Sequence, residues 1–191
     1  MKLVILDADG TLNEESAEFV ESPQAWRPLP GALEAISRLN HAGWHVVIAS
    51  NQPRLGRGVF ETSTLNAIQA RMHRMLSAVG ARVDAVFFCP HAPDEGCHCR
   101  KPEPGLFEQI GERYGVELKG MPTVGDSVED LLAGVAAGCT PHLVLTGLGA
   151  RYAGHPLPDT FPPGTRVHAD LAAFAEFLLG VDAAVTAAPG H

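Results

Sequence analysis

The sequence predicts an α/β fold in three layers: a parallel sheet between two layers of helices. Three observations predict it. Short apolar runs alternate with segments of helical periodicity along the whole chain. The runs are nearly continuous in apolar residues, as strands buried on both faces require. Polar clusters follow several runs directly, where a parallel sheet gathers its ligand-binding groups.

The elements follow in order. "KLVILD" (Lys2 to Asp7) reads as a buried strand. "GALEAISRLNHAG" (Gly31 to Gly43) carries helically spaced apolar residues and a glycine stop. "WHVVIAS" (Trp44 to Ser50) is a second strand. The stretch Glu61 to Gly80 is a long amphipathic helix with Leu65, Ile68, Met72 and Met75 on one stripe. "VDAVFFC" (Val83 to Cys89) is a third strand. Pro104 opens a helix ending at Gly115, a position that tolerates proline. "PTVGD" (Pro122 to Asp126) is a short strand, Val128 to Gly138 a helix, "PHLVLTG" (Pro141 to Gly147) a fifth strand and Asp170 to Gly180 a last helix. The Pro/Gly-rich stretch Arg151 to Arg166 reads as a loop. Residues 181–191 read as a mobile tail behind a single domain over 1–180.

The chain has 191 residues, enough for one full core, and a net charge of −8. That charge argues against nucleic acid and anionic membrane as partners. No apolar run approaches the ~18 residues that cross a bilayer, and the N-terminal apolar run is too short for a secretory signal. A cytoplasmic location is expected, where clustered cysteines bind metal more often than they form disulfides.

Four polar clusters carry chemistry. In "DADGT" (Asp7 to Thr11), two carboxylates at the end of a buried strand are costly without a cation, and magnesium suits hard oxygen ligands. "GDSVED" (Gly125 to Asp130) repeats the pattern, with Asp130 one helical turn beyond Asp126. Asp126 or Ser127 equally suits a helix N-cap there. "IASNQP" (Ile48 to Pro53) places a hydroxyl and two amides where they can donate to phosphate oxygens. "RKP" (Arg100 to Pro102) supplies a guanidinium fork and a point charge, the groups that steady phosphoryl oxygens.

Three of the four cysteines stand in "CPHAPDEGCHC" (Cys89 to Cys99). Cys89, His91, Cys97 and Cys99 form a closed tetrahedral zinc set with no position left for water, so its role is structural. His98, between two ligand cysteines, points elsewhere, and Cys139 reads as a small buried hydrophobe. The zinc loop is expected to order Arg100 and Lys101.

Taken together, the clusters resemble the haloacid dehalogenase (HAD) superfamily of phosphohydrolases. Its pattern runs Asp-x-Asp-Gly-Thr/Val, then Ser/Thr after a strand, then Lys, then Gly-Asp-x-x-x-Asp. Here these are Asp7 to Thr11, Ser50, Lys101 and Gly125 to Asp130. The resemblance implies a Rossmann-like, HAD-like fold and an aspartyl-phosphate mechanism. Asp7 is then the nucleophile and Asp9 the general acid and base. Asp7, the Asp9 backbone carbonyl and Asp126 hold magnesium. Ser50 and Lys101 hold phosphoryl oxygens, and Asp130 supports the metal ligands or Lys101 from behind.

The zinc loop and "CRKPEPG" narrow the resemblance to the histidinol-phosphatase-related branch, and within it to phosphatases of heptose bisphosphate. The implied reaction removes the 7-phosphate of D-glycero-D-manno-heptose 1,7-bisphosphate, a step toward the heptose of lipopolysaccharide. Histidinol phosphate or another small metabolite is the alternative substrate, and a non-catalytic, zinc-stapled phosphate-binding protein the alternative class. Asn51, Gln52 and Arg100 are implied substrate contacts, no large cap domain is expected, and the resemblance implies a monomer. The chain departs from the pattern at Ala8, where the branch usually has arginine, and at Pro53-Arg54, where it usually has Ser-Gly. The acidic stretch Glu14 to Ser22 falls where the branch contacts sugar.

Overall fold

In the computed structural model of the chain, residues 1–14, 22–58 and 61–187 are described. The acidic stretch therefore lies outside the described residues, except for its ends, Glu14 and Ser22. Six strands form one sheet in the order β3-β2-β1-β4-β5-β6. They are β1 (Leu3–Leu6), β2 (His45–Asn51), β3 (Ala85–Cys89), β4 (Pro122–Gly125), β5 (Thr140–Val144) and β6 (Arg166–His168). Every neighbouring pair is parallel. Among the described residues the helices are α1 (Ala32–His41), α2 (Pro53–Gly56), α3 (Thr62–Ala78), α4 (Gly105–Tyr114), α5 (Val128–Ala136) and α6 (Leu171–Ala187).

Alternation along β1 divides the core. Val4 and Leu6 join residues of α1, α3 and α6 on one face. Leu3 and Ile5 join Leu106, Phe107 and Ile110 of α4 and Ala133 of α5 on the other. A strand apolar at every position is what two helical layers demand. Chain order reverses between β1 and β4, so their carboxyl ends flank the crevice where sheets of this kind bind ligands.

Three expectations change. The buried stripe of α3 is Leu65, Ile68, Met72 and Leu76, with Met75 only packed against its edge. The last helix does not stop at Gly180 but continues to Ala187, so residues 181–187 are helix rather than tail. Gly180 is exposed and its backbone is not left-handed, so it ends nothing. Beyond it, Asp182 accepts an ion pair from Lys2 at 2.5 Å. The expected loop from Arg151 ends in β6, a three-residue edge strand whose first two side chains are exposed, and its apolar signal is too brief to read. The 3-10 turn Gly147–Tyr152 precedes it.

On the sheet's far flank, His142 of β5 and His168 of β6 stack, with Nδ1 and Nε2 3.0 Å apart, against Phe174 and Phe177 of α6. Burial, reinforced by His168 and Arg166, pulls His142 from 6.5 down to about 4. Unfolded chain therefore holds that proton more tightly. The contribution of His142 is complete above pH 6.5 and lost as pH falls toward 4, a span of about 3 kcal/mol at most. Urea unfolding at pH 7.5 and 4.5 is expected to show this loss, flattened in His142→Gln. An equally steep loss in the variant would assign it to other groups.

Candidate active site

The carboxyl ends of β1, β2 and β4 bring the predicted residues to one place. Asp7 follows β1, and its N–H continues the ladder to the Val124 carbonyl at 2.9 Å. Lys101 arrives from the zinc loop and is only 3% exposed. Its ammonium donates to Asp7 Oδ1 at 2.7 Å, to Asp130 Oδ1 at 2.6 Å and to the Ala49 carbonyl at 2.8 Å. These three bonds use all three donors. Burial alone would lower the affinity of Lys101 for its proton, but the charges of Asp130 and Asp7 outweigh it and raise that affinity.

Asp130 serves two partners at once. Its Oδ1 meets Lys101, while its Oδ2 accepts from the Ser127 N–H at 3.1 Å and hydroxyl at 2.8 Å. Ser127, not Asp126, caps α5, and with Asp130 it forms a capping box. Asp126 is thus released from helix capping. It is 3% exposed, and its Oδ2 accepts from the Leu148 N–H at 2.8 Å. Gly10 and Gly147 close on that carboxylate. A Cβ on Gly10 would stand 1.9 Å from Asp126 Oδ2, and one on Gly147 2.2 Å from it. Both glycines also have positive φ, at 81° and 52°.

Asp9 Oδ1 accepts from Asn13 Nδ2 at 2.8 Å. Burial raises its affinity for a proton, with Asn13, Lys101 and Arg54 opposing. Ser50 lies at the end of β2 and accepts from Gln52 Nε2 at 2.9 Å. Both ends of the Asn51 amide are bound to the Lys101 backbone, at 3.0 and 3.1 Å. The expected substrate contact at Asn51 is thus taken up by a brace that fixes Lys101. Gln52 lines a cavity shared with Asp9 and Ser50. Among the described residues the buried Nη1 of Arg100 meets no hydrogen-bond partner.

Three residues were not singled out from sequence: Asn13, Thr146 and Gly147. Thr146 donates its hydroxyl to the Gly10 carbonyl at 2.6 Å, across 136 residues of chain. A contact of that span leaves no local trace. Arg54 is visible in sequence only as a departure from pattern.

The donor set fits a hard divalent cation. One oxygen each of Asp7, Asp126 and Asp130 lies within 4.8 Å of the others. Burial first, and then the charge of Asp130, raise Asp7 from 3.8 to about 7 despite Lys101. Carboxylates so placed await positive charge, and oxygen ligands suit magnesium.

The zinc expectation meets a matching cluster. The Cys89, Cys97 and Cys99 sulfurs and His91 Nδ1 all lie within 4.8 Å of one another. Sulfur–sulfur separations are 2.9, 3.5 and 3.7 Å, and Nδ1 stands 3.4 and 3.2 Å from Cys89 and Cys99. A tetrahedral zinc with bonds of about 2.3 Å separates its sulfurs by about 3.7 Å, so the set needs little adjustment. His98 turns away to Glu108 at 2.8 Å. Cys139 is buried in the core beneath α5, as expected.

A doubly wound sheet with paired carboxylates, a buried lysine and a strand-end serine at one rim defines a phosphohydrolase of the HAD class. Residues 98–173 match the family model described as HAD-hydrolase-like. The D-glycero-beta-D-manno-heptose-1,7-bisphosphate 7-phosphatase of Bordetella bronchiseptica is 55% identical over 94% of this chain and 98% of its own. The enzyme of that name from Pseudomonas aeruginosa is 46% identical over 93% and 97%. The crystal structure of the Bordetella D,D-heptose 1,7-bisphosphate phosphatase, complexed with magnesium and phosphate, superposes with a TM-score of 0.88 over 95% of this chain and 99% of that one. The chain belongs to this heptose-1,7-bisphosphate 7-phosphatase family.

Proposed function

We propose that the chain hydrolyses the 7-phosphate of D-glycero-D-manno-heptose 1,7-bisphosphate through an aspartyl-phosphate. The observation that carries this is the Asp7–Lys101–Asp130 arrangement at the β1/β4 crevice, in a chain so close to phosphatases of that name. An Asp7 oxygen attacks phosphorus as the bond to the sugar oxygen breaks, and Asp9 gives that oxygen its proton. A water then attacks phosphorus, Asp9 takes the water's proton, and Asp7 is regenerated with release of inorganic phosphate. The buried setting that raises Asp9 suits it to carry this proton.

Magnesium, held by Asp7, the Asp9 backbone carbonyl and Asp126, supplies positive charge against the phosphoryl oxygens. Ser50 and Lys101 steady those oxygens; Lys101 does so by transferring the donor it now gives Asp7. Gln52 and Arg100 contact the sugar phosphate, and Asn51 acts through Lys101. Among the described residues no additional domain covers the crevice, so loops select the substrate. No helix of the described residues is long and apolar enough to cross a membrane. We read the protein as a cytoplasmic monomer acting on a small phosphorylated sugar.

Phosphate release from the α- and β-heptose 1,7-bisphosphates and histidinol phosphate, side by side with magnesium, tests the reading. A heptose bisphosphate is expected to give the highest kcat/KM. Preference for histidinol phosphate would overturn the substrate, and no turnover of any phosphomonoester would favour a binding protein instead.

A further inference from the structure

The ligands assigned to magnesium come from two turns far apart in the chain. The turn after β1 carries Asp7 and the Asp9 carbonyl, and the turn after β4 carries Asp126. A third turn, after β5, touches both. Thr146 caps the 3-10 turn Gly147–Tyr152 there. Its hydroxyl donates to the Gly10 carbonyl at 2.6 Å. Two residues on, the Leu148 N–H donates to Asp126 Oδ2 at 2.8 Å. Gly147, between them, lies against the Gly10 backbone: a Cβ added to it would stand 2.5 Å from Gly10 Cα.

Gly10 is buried, and its own N–H donates to the Asn13 carbonyl at 2.8 Å. A planar trans peptide points its carbonyl away from its N–H, so that bond sets the direction of the Asp9 carbonyl. The Thr146 hydroxyl holds the next peptide, the one that begins at the Gly10 carbonyl. Both peptides around Gly10 are therefore fixed, and the second is fixed to the turn that also holds Asp126. Hydrogen bonds behind a metal's ligands raise affinity by orienting those ligands in advance.

We infer that Thr146 is a positioning residue for the magnesium site, acting through the Gly10 peptide to register the Asp9 carbonyl against the Asp126 carboxylate. This rests on the magnesium reading above and adds a residue outside the four polar clusters.

Thr146→Val keeps the branched shape and removes the donor; Thr146→Ser keeps the donor. Each protein, dialysed free of magnesium with its zinc retained, is melted across a series of magnesium chloride concentrations. The rise in Tm gives an apparent Kd. Thr146→Val is expected to bind magnesium about 10-fold more weakly than the wild type, the lower end of the range for partners behind metal ligands. Thr146→Ser is expected to stay within about 3-fold. A hydroxyl that served only the fold would lower Tm without magnesium and leave Kd where it was. An unchanged Kd in Thr146→Val would therefore overturn the assignment, as would an equal loss in the serine variant. Thr146→Ala supplies the same comparison if the valine variant does not fold. Should the wild type itself show no rise with magnesium, the magnesium reading fails and takes this assignment with it. A rise in the wild type that the valine variant matches defeats the assignment alone.

Discussion

Asp7→Asn is expected to leave the fold intact and to lower kcat by at least about 10⁴-fold, on the order seen when a covalent nucleophile is removed. The amide keeps the shape and an acceptor for Lys101 but cannot form the aspartyl-phosphate. Its effect on stability has the opposite sign. Burial, with Asp130, raises Asp7 to about 7 against 3.8 for an ordinary carboxyl. Ionising it in the folded chain therefore costs stability as pH rises from about 4 through 7. Without divalent cation, the neutral variant is expected to melt at or above the wild type at pH 8, and the gap to close at pH 4. Melting in EDTA at both values, with a turnover assay, reads both effects. Near-normal turnover in Asp7→Asn would remove the covalent mechanism.

Cys97→Ser is the second large effect. It is expected to lower the zinc content from about one per chain to well below one, because loss of one thiolate leaves three protein ligands and weakens a site that depends on four. The consequence reaches the active site along the chain. Cys99 immediately precedes Arg100 and Lys101, and the Gly105 N–H ties the loop back to the His98 carbonyl at 3.0 Å. With the staple open, Lys101 keeps its Asn51 brace but loses the fixed approach on its other side. A misplacement of about 1 Å costs on the order of 10²-fold, so kcat is expected to fall by about that much. The sheet persists, because Cys97 lies in the loop beyond β3 and only packs against the edge of the core, while Cys89, the buried end of β3, is unchanged. Metal analysis with activity on the same sample decides: full activity with no zinc would separate the loop from catalysis.

Strand-end chemistry was legible in the sequence because each polar cluster directly follows its apolar run. The sequence alone therefore places Asp7, Ser50 and Asp126 on one rim. The cysteine loop was legible from donor type and spacing. Lys101 acquired meaning only through resemblance, since a lysine before a helix is ordinarily a surface cation, and here it is buried among Asp7, Asp130 and the Ala49 carbonyl. Three features could not be read. β6 has three residues and an exposed edge, too short for a period-two signal. Gly180 looks like a helix stop, yet its backbone is not left-handed and α6 passes through it. The closure of Gly10, Thr146 and Gly147 around Asp126 joins turns far apart in sequence, and such pairing is a property of the folded chain.

The central claim is removal of one particular phosphate, and the product answers it. Phosphorus NMR of β-heptose 1,7-bisphosphate treated with the enzyme and magnesium should show the 7-phosphate resonance replaced by inorganic phosphate, with the anomeric 1-phosphate intact. Loss of the 1-phosphate, or no change in either signal while the enzyme hydrolyses another monoester, would contradict the account.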